Sequence, residues 1–168
     1  GDKKKDGGFD CVIGNPPWER LKIEDKEFFS SVAPEIAKET TRAGRKKLIE
    51  KLEKINPKLY KKYIETQENS QNQVDYLITS QKFPLTATGD INLYPLFTEL
   101  SKNFLKKGGI CGLVIPTGLI TDVTYHEFFL ELVTSKSLIS IDDFTNKQKI
   151  FKDIASNMRF SVIKLQNL

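Results

Sequence analysis

The sequence predicts an α/β fold, and three observations carry that prediction. The apolar run Phe9-Asp10-Cys11-Val12-Ile13-Gly14 stops at two consecutive prolines. A second run, Gly109 to Pro116, has the continuous apolar character of a strand buried on both faces, as in parallel sheets. Around and after it, segments with helical spacing alternate with short apolar runs. Composition agrees: 168 residues are enough for one domain with a real core, and 39% hydrophobic residues is ordinary for a soluble globular protein. No apolar run is long enough to span a bilayer and no signal-peptide pattern is present, so a cytoplasmic location is expected. Cys11 and Cys111 lie in strand-like runs and are expected to be buried free thiols. One His and two separated Cys argue against a structural metal site, so no metal is expected.

Taken in order, the first strand is Phe9–Gly14, and Asn15-Pro16-Pro17-Trp18 ends it, because two prolines remove two backbone donors and fix two φ angles. Residues 19–75 are polar and lysine-rich and read as a helical insertion. Within it Leu48, Leu52, Ile55 and Leu59 recur at helical spacing, and Asn56-Pro57 marks a boundary between two helices. Residues 68–73 read as a polar hinge and 74–78 as helix. A helix is expected from about Asp90 to Lys107, with Asp90 or Asn92 as N-cap and Pro95 in the first turn. Its apolar stripe is Leu93, Leu96, Phe97, Leu100 and Phe104; Lys106 and Lys107 complement its carboxyl end, and Gly108 stops it. The strand 109–116 follows, then a loop over 117–122. Next come a helix over 124–134 with Phe128, Phe129, Leu132 and Val133 inward, and a strand over 138–144. The last strand, 160–165, alternates as an antiparallel edge or hairpin partner would.

The chemistry concentrates at Asn15-Pro16-Pro17-Trp18. In open α/β sheets ligands bind at the carboxyl ends of the strands. A stiff corner there presents a carboxamide with one acceptor and two donors, outward carbonyls and an indole face. A planar ligand with an exocyclic amine fits it: the amine donates to the Asn15 oxygen and a proline-region carbonyl while the ring stacks on Trp18, a contact worth about 1–3 kcal/mol for a base on an aromatic ring.

Gly14-Asn15-Pro16-Pro17-Trp18 resembles motif IV of the amino-methyltransferases, in the form found in N6-adenine DNA methyltransferases of the type IIG restriction–modification and phage-exclusion (BREX-like) families. The strand-then-turn context that such a motif requires is present. The resemblance covers nearly the whole chain, although only this motif is strongly specific. It implies the C-terminal half of a class I, Rossmann-like, S-adenosylmethionine-dependent methyltransferase sheet, the fourth to seventh strands, with 19–75 as a helical insertion and 1–168 as a partial catalytic domain. It further implies that Asn15, Pro16, Pro17 and Trp18 are catalytic, that Trp18 binds the base, and that Asn15 also borders the cofactor. Double-stranded DNA with a flipped adenine is the implied partner. A second aromatic on the other face of the base usually precedes the last strand in this family; Phe151 is the best match and Phe160 the alternative, with plain core packing as the other reading of Phe151. Gly89–Tyr94 also resembles the segment preceding this helix in these families, or else serves helix capping alone.

The family's glycine-rich turn and ribose-holding acidic residue have no counterpart. Residues 1–8 are a polar lead-in, and Gly108-Gly109 enters a strand. The cofactor site is therefore expected to be incomplete, the fragment inactive alone, and the missing N-terminal half and target-recognition domain to be partners. A net charge of +4 is compatible with DNA and does not demand it. The basic block Arg42, Arg45, Lys46, Lys47, Lys51, Lys54, Lys58, Lys61, Lys62 is either a solvated helix face or a DNA-backbone contact. The competing functions are a protein-glutamine or ribosomal-RNA guanine amino-methyltransferase, against which Trp18 and the long insertion argue, and a non-catalytic DNA-binding module.

Overall fold

Strand β1 (Phe9–Gly14) forms where the sequence predicts it, and its corner leads into four helices: α1 (Asp25–Phe29), α2 (Pro34–Lys38), α3 (Arg42–Ile55) and α4 (Pro57–Thr79). The chain continues through α5 (Leu93–Asn103), β2 (Leu105–Pro116), α6 (Gly118–Thr121), α7 (His126–Thr134), β3 (Leu138–Thr145) and β4 (Arg159–Gln166). The computed structural model describes residues 7–168, so most of the polar lead-in lies outside the described residues. Contacts divide the chain into two units, one holding the sheet and one formed by Arg20–Thr79.

The sheet unit is a mixed α/β structure with four strands in the order β1-β2-β4-β3. β1 and β2 are parallel, and β4 runs antiparallel to both β2 and β3. The carboxyl ends of β1, β2 and β3 therefore share one edge of the sheet, and β4 begins there. Val12, Cys111, Leu113, Ile115, Ile163 and Leu165 pack with Tyr94, Leu119, Tyr125, Phe128 and Leu132 into one core. On the opposite face of β1, Ile13 is 83% exposed.

Several expectations are corrected here. Cys111 is buried, and its thiol is pushed up to about 11 by that burial, but Cys11 is exposed on the uncovered face of β1. Helix α5 ends at Asn103, not near Lys107, because the chain turns to pair with β1: the Phe9 N–H donates to the Phe104 carbonyl at 2.8 Å. Lys106 and Lys107 thus lie in β2, where Lys106 pairs with Asp10 of β1. Gly108 is inside the strand with φ +78°, and at Gly109 a Cβ would sit 2.6 Å from the Phe9 carbonyl oxygen. These two glycines permit the close crossing at which the β1–β2 register shifts. On α5 the buried face is Tyr94, Pro95, Leu96, Thr98 and Glu99, while Phe97 and Phe104 are exposed. Residues 118–121 are a helical turn instead of open loop, and Val133 faces solvent while Phe128 and Leu132 are fully packed. The last strand is antiparallel, as expected of a hairpin partner, but it lies between β2 and β3 instead of at an edge.

In the Arg20–Thr79 unit, Phe29, Ala33, Ile36, Ile49, Leu52 and Tyr63 form a separate small core. The boundary at Asn56-Pro57 is real: Pro57 opens α4, and Asn56 caps it by accepting the Leu59 N–H at 3.1 Å. Ile55 ends α3 and is exposed instead of joining the apolar stripe. The expected hinge at 68–73 is instead continuous α4, and 74–78 is helical as expected. Its polar residues are satisfied without breaking the helix, since Ser70 donates to the Leu21 carbonyl at 2.5 Å and Gln71 donates to Asp75 one turn on at 2.8 Å. No helix among the described residues is long and apolar enough to cross a membrane.

Candidate active site

Because β1 and β2 are parallel, the Asn15-Pro16-Pro17-Trp18 corner leaves the sheet at the same edge as the Pro116-Thr117 end of β2. Pro16 is buried, Pro17 and Asn15 are exposed, and Trp18 is half-buried. The Trp18 indole N–H donates to the Val114 carbonyl at 3.4 Å, which fixes one edge of the ring on β2. The next residue is fixed as well: the Glu19 carbonyl accepts the Leu93 N–H at 2.9 Å, so the segment ending in Tyr94 lies beside the corner. Asn92 donates to the Asp90 carbonyl and to the buried Tyr125 hydroxyl at 3.1 Å, and caps α5 without a side-chain bond to its first turn. Asp90 is not the cap residue.

Phe151 and Phe160 both meet Trp18. The Trp18–Phe151 ring centroids are 5.4 Å apart at 63°, Trp18–Phe160 6.3 Å at 31°, and Phe151–Phe160 5.1 Å at 86°. Phe144 stacks behind Phe160 at 5.5 Å. The two aromatic candidates from the sequence are thus members of one cluster: Phe151 meets the indole edge-on, and Phe160, nearly buried, forms its floor.

Sequence reasoning missed two supports of this cluster. Asn146 is fully buried in the 3-10 turn after β3. Its carboxamide donates to the carbonyls of Phe151 at 2.8 Å and Ile154 at 3.0 Å, and accepts the Phe151 N–H at 3.1 Å. It therefore clasps the loop that carries Phe151. A lone Asn after a strand gives no sequence signal of this role, because its partners are backbone groups. The second support is Asp143 on β3, which accepts from Thr117 at 2.5 Å, from Ser161 at 3.1 Å and from Arg159. The Thr117 hydroxyl and then the Arg159 guanidinium hold its carboxyl below the usual carboxylate range. This network joins the ends of β2, β3 and β4 just below the aromatic cluster.

The donor set of the corner is one exposed carboxamide, backbone carbonyls released by the prolines, and aromatic rings. Such a set can orient a planar amine, and it offers no nucleophile and no strong base. Among the described residues no group of His, Cys, Asp and Glu is placed to hold a metal ion. Nor does any described strand end in a glycine-rich turn: β1 ends in the proline corner and β2 in Thr117-Gly118 before α6.

The fold is thus a mixed α/β structure with a proline corner, an exposed carboxamide and a cluster of aromatic rings at the carboxyl edge of its sheet. The model of the Eco57I restriction-modification methylase family matches residues 2–151, and the chain belongs to that family. That membership makes it a methyltransferase of the restriction–modification type, acting on DNA. No curated protein matches the chain.

Proposed function

We propose that this chain forms the base-holding wall of an adenine-specific DNA methyltransferase of the type IIG or phage-exclusion kind, with S-adenosylmethionine as the donor. The observation that carries the reading is the meeting of Trp18, Phe151 and Phe160 beside the exposed Asn15 carboxamide, at the edge where β1, β2 and β3 end. Adenine in a duplex keeps its amine paired, so the base must be extruded to reach such a corner. Asn15 and the Pro16 carbonyl accept the two amine hydrogens, which turns the nitrogen lone pair out of the ring plane. Trp18 stacks on the base, and Phe151 covers its other face. The gain is orientation and placed dipoles, without a general base.

Bound S-adenosylmethionine would supply an electrophilic methyl group. The described residues offer Asn15 to border it and no glycine-rich cradle, so the reading places that cradle outside these 168 residues and expects the chain alone not to transfer methyl groups. The open face and edge of β1 support a sheet that continues past it, as in the Rossmann-like fold of class I methyltransferases.

Digesting methylated duplex to nucleosides, after reaction with the full-length protein that contains this chain, tests the function. N6-methyladenine is the expected product; methylcytosine or no methylated base would overturn the reading. Asn15→Ala is expected to lower turnover by about 100-fold, the scale of removing one placed polar group at a reacting centre, while DNA affinity changes little. Calorimetric titration of residues 1–168 with S-adenosylmethionine checks the second part: no heat of binding is expected, and micromolar affinity would contradict it.

A further inference from the structure

Charge is distributed very unevenly along this chain. Residues 42–62 hold nine basic and two acidic residues, a balance of +7 in a protein whose total is +4, so everything else sums to −3. The structure shows where that charge goes. On α3 the face carrying Arg45, Ile49 and Leu52 is buried in the helical unit. Lys47, Lys51 and Lys54, at i, i+4 and i+7, form a row on the opposite side, all exposed. Glu50, the nearest acid, pairs with Lys46 at 4.0 Å, and on α4 Glu65 pairs with Lys61 at 3.7 Å. Lys47, Lys51 and Lys54 make no ion pair among the described residues, nor do Lys58 and Lys62.

We infer that the Lys47–Lys51–Lys54 face of α3 is a contact surface for the phosphate backbone of duplex DNA, made of residues other than those of the base-holding corner. The inference rests on the reading that the partner is DNA, and it concerns which residues hold that partner. A row of unpaired lysines recognises charge and carries no base information, so its role is to position the duplex and hold it independently of sequence. A single-strand platform would interleave aromatic rings with the cations. Here the only aromatic residue in 42–62 is Tyr60, which is half-buried against the helical core. A membrane surface would need a row of large apolar side chains beside the lysines, and Ile55 is the single exposed large hydrophobic side chain in 42–62.

Fluorescence anisotropy of a labelled duplex made only of G·C pairs tests this, because adenine reading cannot contribute and a failure of the methylation reading leaves the measurement intact. The chain is compared with a Lys47→Gln, Lys51→Gln, Lys54→Gln variant from 50 to 200 mM salt. A Lys107→Gln, Lys136→Gln, Lys164→Gln variant, with equal charge loss in the sheet unit, is the control. Gln is a good helix former, so α3 is retained, and circular dichroism verifies it. The expected result is at least tenfold weaker binding at 50 mM and a slope of log affinity on log salt reduced by about 3, near 0.9 for each lost phosphate contact. Lys51→Gln alone reduces it by about 1 and serves if the triple variant loses helix. The control is expected to leave the slope unchanged. An unchanged slope in both α3 variants, an equal drop in the control, or tighter binding to anionic vesicles than to the duplex would overturn the inference.

Discussion

Asn15 and Asn146 are both asparagines next to strand ends, and burial separates their roles. Asn15 is exposed, and its carboxamide makes no hydrogen bond to protein among the described residues, which leaves it open to the amine contact proposed above. Asn146 is fully buried and uses its carboxamide on the loop backbone. Removing it leaves buried carbonyls and an N–H without partners, each worth about 1–3 kcal/mol. Asn146→Ala is therefore expected to lower stability in urea by that order and to free Phe151 from Trp18. Trp18 is the only tryptophan in the chain, so acrylamide quenching reads the second effect directly; quenching equal to that of the unmodified protein would show that the clasp does not position the ring. The proline corner was legible because its residue types are rare together. Asn146 was not, because backbone partners leave no trace in spacing.

At the scale of elements, hydrophobic period and proline placed β1, the α3–α4 boundary, β2 and α7 in the sequence. The misplacements share a cause. Leu100 and Phe104 continue the helical period of α5 toward Lys107, yet strand pairing with β1 claims the chain from Phe104 onward. Tertiary hydrogen bonding overrode a local pattern, and Gly108-Gly109, which looked like a helix stop, serves a strand crossing instead. The polar run 68–73 looked like a hinge because no apolar period crosses it, but side-chain bonds to Leu21 and along the helix replace apolar packing. The boundary at Asn56-Pro57 carries its own prediction. Asn56 is the cap of α4, so Asn56→Ala is expected to cost about 1 kcal/mol and Asn56→Asp little. Thermal unfolding followed by circular dichroism checks this, and equal losses for the two changes would remove the capping role.

For the whole molecule, the order β1-β2-β4-β3 brings three strand ends and the start of the fourth to one edge. That is why residues as distant as Trp18 and Phe151 meet. The order could not be read from the chain, since β4 inserts between β2 and β3 and no local signal announces insertion. Global stability also has a pH signature. Glu99 is buried against α5's neighbours, accepting the Thr86 hydroxyl at 2.6 Å, and burial raises its carboxyl above the usual range. The folded state thus holds that proton more tightly than the unfolded chain. The group costs nothing below the ordinary carboxylate pKa, and stability falls as pH rises from there through the raised value. Glu99→Gln keeps an acceptor for Thr86 and cannot ionise. Its melting temperature, relative to the unmodified protein, is expected to climb across that interval; a constant difference would contradict the assignment.

The aromatic cluster gives the central claim a direct test. Two rings that sandwich a base must stand about 7 Å apart, twice the ~3.4 Å stacking rise of a duplex. Trp18 and Phe151 stand at 5.4 Å and edge-on, so base entry must part them. The decisive measurement is Trp18 fluorescence while the chain is titrated with duplexes that differ only in one unpaired base. The account predicts a saturable change that is largest for adenine and loses that preference in Asn15→Ala. A change equal for all four bases, or none at saturating DNA, would contradict it.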